Sequence, residues 1–239
     1  MSGAARGGEL NVLTSVAMKG VLEQLAPELR RETGCALSMS YGPGGVLLRR
    51  VRAGDLSDVV IAPPEVVEVL IGEGRIVAGS QRLIARSVIG VAVRSGAAKP
   101  KIDTPDEFRQ ALLQARSVAY TDPATGAASG VHFAGILDRF GIANEINAKA
   151  KFGDGGPVAE YVARGEAELA IQQLCEHMLV NGVDVVGPLP AELQKVTTFA
   201  AAVAAAAAHP HQVSALIDLL LAAHVQAALP THGLEPIQS

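Results

Sequence analysis

Apolar residues along this chain come in short bursts separated by amphipathic stretches. Residues 9–15 (ELNVLTS) have the density of a buried strand, after which Val21, Leu22, Leu25 and Leu29 recur along one helix face until Gly34 closes the segment. The same unit then repeats. Residues 36–40 predict a second strand, the turn Tyr41-Gly42-Pro43-Gly44-Gly45 follows, and Val46, Leu47 and Val51 mark a helix ending near Gly54. Residues 58–62 (DVVIA) and 64–72 read as a third strand and helix, and residues 87–94 (SVIGVAVR) as a longer strand rich in β-branched residues.

The alternation restarts in the second half. Helices are predicted over residues 105–115, 129–141, 158–164 and 176–180, with strands at 117–120, 168–172 and 184–186. A run of small residues, 197–208, precedes a strongly apolar helix over 211–228. Strands alternating with helices predict an α/β fold with mostly parallel, doubly wound sheets. The two halves are similar in size, and the strand-like segments 83–94 and 197–208 would carry the chain from one to the other and back. Two lobes are therefore expected, residues 1–84 with 199–239 and residues 85–198, with a hinge and a ligand cleft between them.

Composition narrows the function. The chain has 239 residues, 49% apolar and 18% charged, enough to bury a core without disulfides or metals. Aromatic residues are only 3% and the net charge is −4, so neither a base-stacking platform nor a basic field for phosphate backbones is present, and no nucleic-acid partner is expected. Cys35 and Cys175 stand in unrelated contexts and imply no disulfide framework. His209-Pro-His211 lacks a third ligand nearby, so no metal and no cofactor are expected. The N-terminal MSGAARGGEL has no apolar core of a secretory leader, and residues 196–217 are too rich in alanine and too interrupted for a membrane span. With Met1 as the native start the chain is expected in the cytoplasm, without membrane insertion and as a monomer.

Three strand-to-helix junctions concentrate small and hydroxyl residues: Thr14-Ser15-Val16-Ala17, Gly42-Pro43-Gly44-Gly45, and the segment 122–130 (DPATGAASG). In a parallel sheet such junctions lie beyond the carboxyl ends of the strands, where helix N-termini offer free N–H groups and a partial positive charge. That is a setting for an anion. Ser15, Thr125 and Ser129 could add hydroxyl donors, Lys19 and Arg49 could reach a carboxylate, and Gln172-Gln173 could hydrogen-bond a ligand from a strand end. His132, in the first turn of its helix, is the best available general base. No phosphate loop, dinucleotide fingerprint or nucleophile elbow is present.

These segments resemble a known family. LTSVAMKGVLEQLAPELRRETG, SYGPGGVLLRRVRAGDLSDVVIAP, the DPATGAASGVHF turn, GEAELAIQQ and VGPLPAELQ with a closing HGLEP are similar to the type II periplasmic solute-binding proteins, in particular their molybdate-binding-like branch. The resemblance covers nearly the whole chain. It implies a periplasmic protein whose leader has been removed and whose partner is an ABC permease. Ligand-binding positions would be Ser15, Val16, Ala17, Gly44, Gly45, Ser129, Gly130 and Gln173, with Lys19 and Arg49 beside them. Members specific for molybdate carry hydroxyl residues at the positions of Ala17 and Gly44 and a tyrosine at that of Gln173, so an organic carboxylate is expected here in place of molybdate. Aconitate isomerase resembles the same branch, which implies an alternative: proton transfer along an unsaturated tricarboxylate, with His132 as base. A cytoplasmic small-anion sensor is the second alternative.

Overall fold

The computed structural model describes residues 8–237. It divides into two compact units, Met1–Arg86 with Thr198–Ser239, and Ser87–Thr197. The chain passes from the first to the second through β4 (Arg82–Arg94) and returns through β9 (Val196–Val203).

The first unit begins with β1 (Glu9–Thr14), a single turn of 3₁₀ helix at Val16–Met18, and α1 (Lys19–Thr33). The apolar stripe Val21, Leu22, Leu25 and Leu29 of α1 is buried, and Gly34, at φ 74°, ends the helix in the left-handed region where a side chain would be strained. β2 (Ala36–Tyr41), α2 (Gly44–Arg52), β3 (Val59–Ala62) and α3 (Pro64–Gly72) follow. β1 pairs in parallel with both β2 and β3, whereas β9 runs antiparallel beside β3, with Ile61 opposite Ala201. Leu13, Leu47, Val60, Val67 and Leu70 form the core under α2 and α3.

The second unit continues from β4 into α4 (Pro105–Gln114), β5 (Val118–Thr121), a 3₁₀ turn at Pro123–Thr125, and α5 (Ala128–Arg139). After these come α6 (Ala143–Ala148), β6 (Ala150–Gly153), α7 (Ala159–Ala163), β7 (Leu169–Gln173), α8 (Leu174–His177) and β8 (Val183–Pro188). β5 pairs in parallel with β6 and β7, and β4 is antiparallel to both β7 and β8. Both faces of β5 are covered. Val118 and Tyr120 point into a core with Phe108, Phe133 and Ile136, while Ala119 joins Val158 and Val162 on the opposite side. Tyr120 packs edge-on against Phe133 at 4.9 Å, and its hydroxyl donates to Asn147 Oδ1 at 2.6 Å.

Two sequence expectations are corrected and two elements are added. The apolar helix over 211–228 is two helices, α9 (Pro210–Leu221) and α10 (Ala223–Ala228), because Ala222 adopts an extended conformation. Gln226 Nε2 donates to the Leu220 carbonyl left free by that break, at 2.7 Å, and to Ile84 O at 2.9 Å. α6 and β6 were unforeseen, and the helix expected over 176–180 is instead the short α8, which starts directly at the end of β7. Among the described residues no single helix is long and apolar enough to cross a membrane.

Candidate functional site

In the first unit, the parallel pairing of β1, β2 and β3 brings their following turns to one edge of the sheet. Ser15 N–H donates to Ile61 O and Gly42 N–H to Thr14 O, both at 3.1 Å, which fixes the turns side by side. Ser15 caps the 3₁₀ turn, its hydroxyl oxygen accepting from Ala17 N at 3.4 Å, while Val16 and Ala17 are buried. Pro43 precedes α2, and its carbonyl receives the N–H groups of Val46 and Leu47 at 2.8 and 2.9 Å. The amides of Gly44 and Gly45, first in the helix, have no acceptor within it.

A Cβ at Gly44 would lie 3.3 Å from Val66 Cγ2 and 3.6 Å from Pro63 Cδ. A side chain at this position would need Val66 to give way by a few tenths of an ångström. Lys19 opens α1 with its ammonium 3.9 Å from Glu23 and 5.8 Å above the Tyr41 ring. Burial, with Glu23 adding to it, pushes the Tyr41 phenol up to about 12, so it stays neutral and donates to Met39 Sδ at 3.2 Å. Arg49 is the sixth residue of α2 and is exposed.

In the second unit the corresponding edge is formed by the ends of β5, β6 and β7. Ser129 and Gly130 lie in the first turn of α5 and are buried, and Val131 N–H, bonded to Ala127 O, is the helix's first internally satisfied amide. Gly130 is required by contact: a Cβ there would stand 2.2 Å from the Thr121 carbonyl oxygen. Thr125, expected as a ligand donor, is an internal brace. Its hydroxyl donates to Asp122 O at 2.7 Å and accepts from Ala127 N at 3.3 Å.

Gln172 is structural, its Oε1 accepting from Val158 N at 2.8 Å and its Nε2 donating to Thr121 Oγ1 and Gly156 O at 3.2 and 3.1 Å. Gln173 differs. Its Nε2 donates to Thr197 Oγ1 at 2.9 Å, but its Oε1 is buried without a partner. One polar atom of this amide is left for a ligand or water to satisfy. His132 sits 2.7 Å through Nε2 from the Leu193 carbonyl. A carbonyl only accepts, so Nε2 carries the proton and Nδ1 is the basic atom of the ring.

Residues 10–235 match the sequence profile of the bacterial extracellular solute-binding proteins. The chain belongs to that family. A curated relative, the aconitate isomerase of a Pseudomonas species, is 34% identical over 234 residues, which is 95% of this chain and 88% of that protein. The molybdate-binding protein ModA of Escherichia coli is 24% identical over 200 residues, covering 82% of this chain and 77% of its own. Among solved structures, the periplasmic molybdate-binding protein of Azotobacter vinelandii aligns with a TM-score of 0.80 at 21% identity, over 96% of this chain and 100% of that one. The fold of this solute-binding family member is thus the type II fold of periplasmic solute-binding proteins.

One buried cluster lies beside these turns where no hydrophobic pattern marks it. α8 carries Cys175, Glu176 and His177, all buried, directly after Gln172-Gln173. Ser87 Oγ lies 3.3 Å from Cys175 Sγ, and His177 Nε2 lies 3.2 Å from Gly90 O. Burial pushes the Cys175 thiol well above its ordinary range, so it is no nucleophile. Burial also raises the Glu176 carboxyl to about 8 and lowers the His177 imidazole to about 4, so both are neutral near pH 7. Among the described residues no group of three or more His, Cys, Asp or Glu is placed to hold a metal ion.

These two shifts predict a pH profile for stability. Glu176, raised from 4.5 to about 8, contributes stability that is complete below the lower value and is lost as pH rises toward the upper one. His177, lowered from 6.5 to about 4, contributes stability present above the former value and lost as pH falls toward the latter. Their slopes oppose where the windows overlap, and above about pH 6.5 only the Glu176 loss remains. Thermal unfolding of the wild type should therefore shift to lower temperature between about pH 6.5 and 8, and Glu176→Gln should remove most of that shift. An unchanged shift in the variant would show that Glu176 does not carry it.

Proposed function

We propose that this chain binds a small anion, an organic carboxylate in preference to molybdate, and works outside the cytoplasmic membrane with an ABC permease as partner. The observation that carries the reading is the N-terminus of α5, where Ser129 and Gly130 are buried beside amides with no acceptor inside the helix. Turns built in the same way hold Ser15, Gly44 and Gly45 in the first unit, and the unpaired Oε1 of Gln173 supplies a further polar atom. Ala17 and Gly44 provide no hydroxyl, and Val66 narrows the space beside position 44. That pattern suits carboxylates, each of which two amides can serve, better than a tetrahedral oxyanion needing donors all round.

Ser129→Ala tests the site. Loss of one hydrogen bond to a charged group is worth about 1.5–3 kcal/mol, so the affinity for citrate or trans-aconitate should fall by about tenfold or more. Unchanged affinity in a folded variant would place the site elsewhere.

A second reading is favoured by the relative that is 34% identical, an aconitate isomerase. In it, His132 Nδ1 takes a proton from the methylene carbon of an unsaturated tricarboxylate and returns it at the other end of the allylic system. Nuclear magnetic resonance of cis- and trans-aconitate with the protein in heavy water would show interconversion with deuterium incorporation, lost in His132→Asn. Absence of both in the wild type at high protein concentration removes this reading and leaves the binding function.

A further inference from the structure

Residues 186–194 (VGPLPAELQ) give no side chain to the anion site, yet one carbonyl of this segment, that of Leu193, lies 2.7 Å from His132 Nε2. β8 ends at Pro188 opposite Gly90 of β4, and Leu189 N–H still donates to Ile89 O at 3.0 Å. The chain then turns through a 3₁₀ helix, Ala191–Leu193, closed by Leu193 N–H on Pro190 O at 2.9 Å. The Leu193 side chain is 1% exposed and belongs to the core of Phe133 and Ile136, which lie on α5 as His132 does. Its carbonyl meets the imidazole.

The next residue fixes that carbonyl. The Gln194 side chain pairs with both backbone groups of Ile89: its Oε1 accepts from Ile89 N at 2.9 Å and its Nε2 donates to Ile89 O at 2.8 Å. A peptide N–H only donates and a carbonyl only accepts, so this pairing allows one orientation of the amide. Oε1 also accepts from Lys195 N at 3.0 Å, and Nε2 lies 3.5 Å from Leu189 O. The side chain thus extends the ladder of β4 beyond the end of β8 and clamps its own backbone to Ile89. The peptide group joining Leu193 to Gln194 is held on both sides, its N–H 3.3 Å from Ala191 O and its carbonyl at His132. A neutral imidazole carries one proton on either ring nitrogen, and an acceptor fixed at Nε2 holds the proton there and leaves the Nδ1 lone pair free.

We propose that Gln194 is a positioning residue for His132: its amide, pinned to Ile89, holds the Leu193 carbonyl against Nε2, keeps the ring proton on that nitrogen and so presents Nδ1 as the basic atom. This rests on the reading of His132 as the base, and it adds the residue that decides which ring nitrogen does the work. Gln194 acts through the backbone and not by touching a ligand.

The test uses the full chain, labelled with nitrogen-15 in its histidine rings, and two readouts. Nuclear magnetic resonance of the wild type should show a His132 ring proton bonded to Nε2 and protected from exchange with water, assigned by its loss in His132→Asn. Gln194→Met keeps the bulk of the side chain and removes its hydrogen bonds, and the signal should broaden away. Gln194→Glu keeps an acceptor for Ile89 N–H and sets a carboxylate oxygen against Ile89 O; it should lose the signal too, and it decides the matter if Gln194→Met does not fold. A ring proton on Nδ1 in the wild type, or an unchanged Nε2 signal in a folded variant, overturns the proposal, even if the variant unfolds at a lower temperature as a merely structural residue would make it do. The second readout is interconversion of cis- and trans-aconitate. In Gln194→Met kcat should fall by about tenfold or more with KM nearly unchanged, and an unchanged kcat overturns the proposal. A wild type that shows the Nε2 proton, lost in the variants, but does not interconvert the aconitates keeps the clamp and rejects His132 as the base.

Discussion

Gly130→Ala is expected to destabilise the protein by about 2–3 kcal/mol and to abolish the thermal shift produced by a bound anion. A methyl group at this position would stand 2.2 Å from the Thr121 carbonyl oxygen and 3.0 Å from its carbon, and backbone atoms cannot rotate aside. The first turn of α5 has to lift off β5, carrying Ser129 and the free amides with it. Gly135 on the same helix is the internal control, because a Cβ there meets nothing within 4 Å. Gly135→Ala should gain about 0.5–1 kcal/mol from helix propensity alone. Urea unfolding of the two variants measures the contrast, and a Gly130→Ala protein as stable as the wild type would mean that α5 is not seated on β5 as described.

Asp58→Ala should be more damaging still, by about 3–5 kcal/mol. This buried carboxylate receives three backbone amides, Asn11 N at 2.9 Å on Oδ2, and Ala208 N at 2.7 Å and His209 N at 3.2 Å on Oδ1. It ties the start of the first strand pair to the segment leading into α9, and its removal leaves donors in the interior with nothing to bond. Asp58→Asn keeps one acceptor oxygen and should lose roughly half as much. A loss below about 1 kcal/mol for Asp58→Ala would show that water replaces the carboxylate and that the site is not sealed.

Most elements of the fold could be read from the hydrophobic pattern because most are buried on a fixed face. α1 shows its stripe of Val21, Leu22, Leu25 and Leu29, and β3 and β5 are short, wholly buried runs. β6 escaped notice because Lys151 and Phe152 are exposed on a strand whose pairing here is with β5, so no apolar alternation marks it. The break at Ala222 is invisible in composition, since alanine favours helix and only the Gln226 side chain, bonded to Leu220 O, shows how the interruption is satisfied.

The turns of the candidate site were legible as clusters of glycine and hydroxyl residues, but their division of labour was not. Whether Thr125 faces a ligand or its own loop depends on the 3₁₀ turn after Asp122, and whether Gln172 or Gln173 is spare depends on Val158, Gly156 and Thr197, which are distant in sequence. Nothing in LCEHM marks Glu176 and His177 as buried, and only the start of α8 immediately after β7 turns them inward.

Isothermal titration calorimetry of the purified wild type with citrate, trans-aconitate, molybdate and sulfate at matched ionic strength tests the central claim most directly. Saturable binding of a tricarboxylate, at least about tenfold tighter than that of molybdate, is the predicted result. Tight binding of molybdate with no heat from either tricarboxylate would contradict it, and would mean that the amides together with Ser15 and Ser129 hold the tetrahedral oxyanion without the hydroxyls that Ala17 and Gly44 lack.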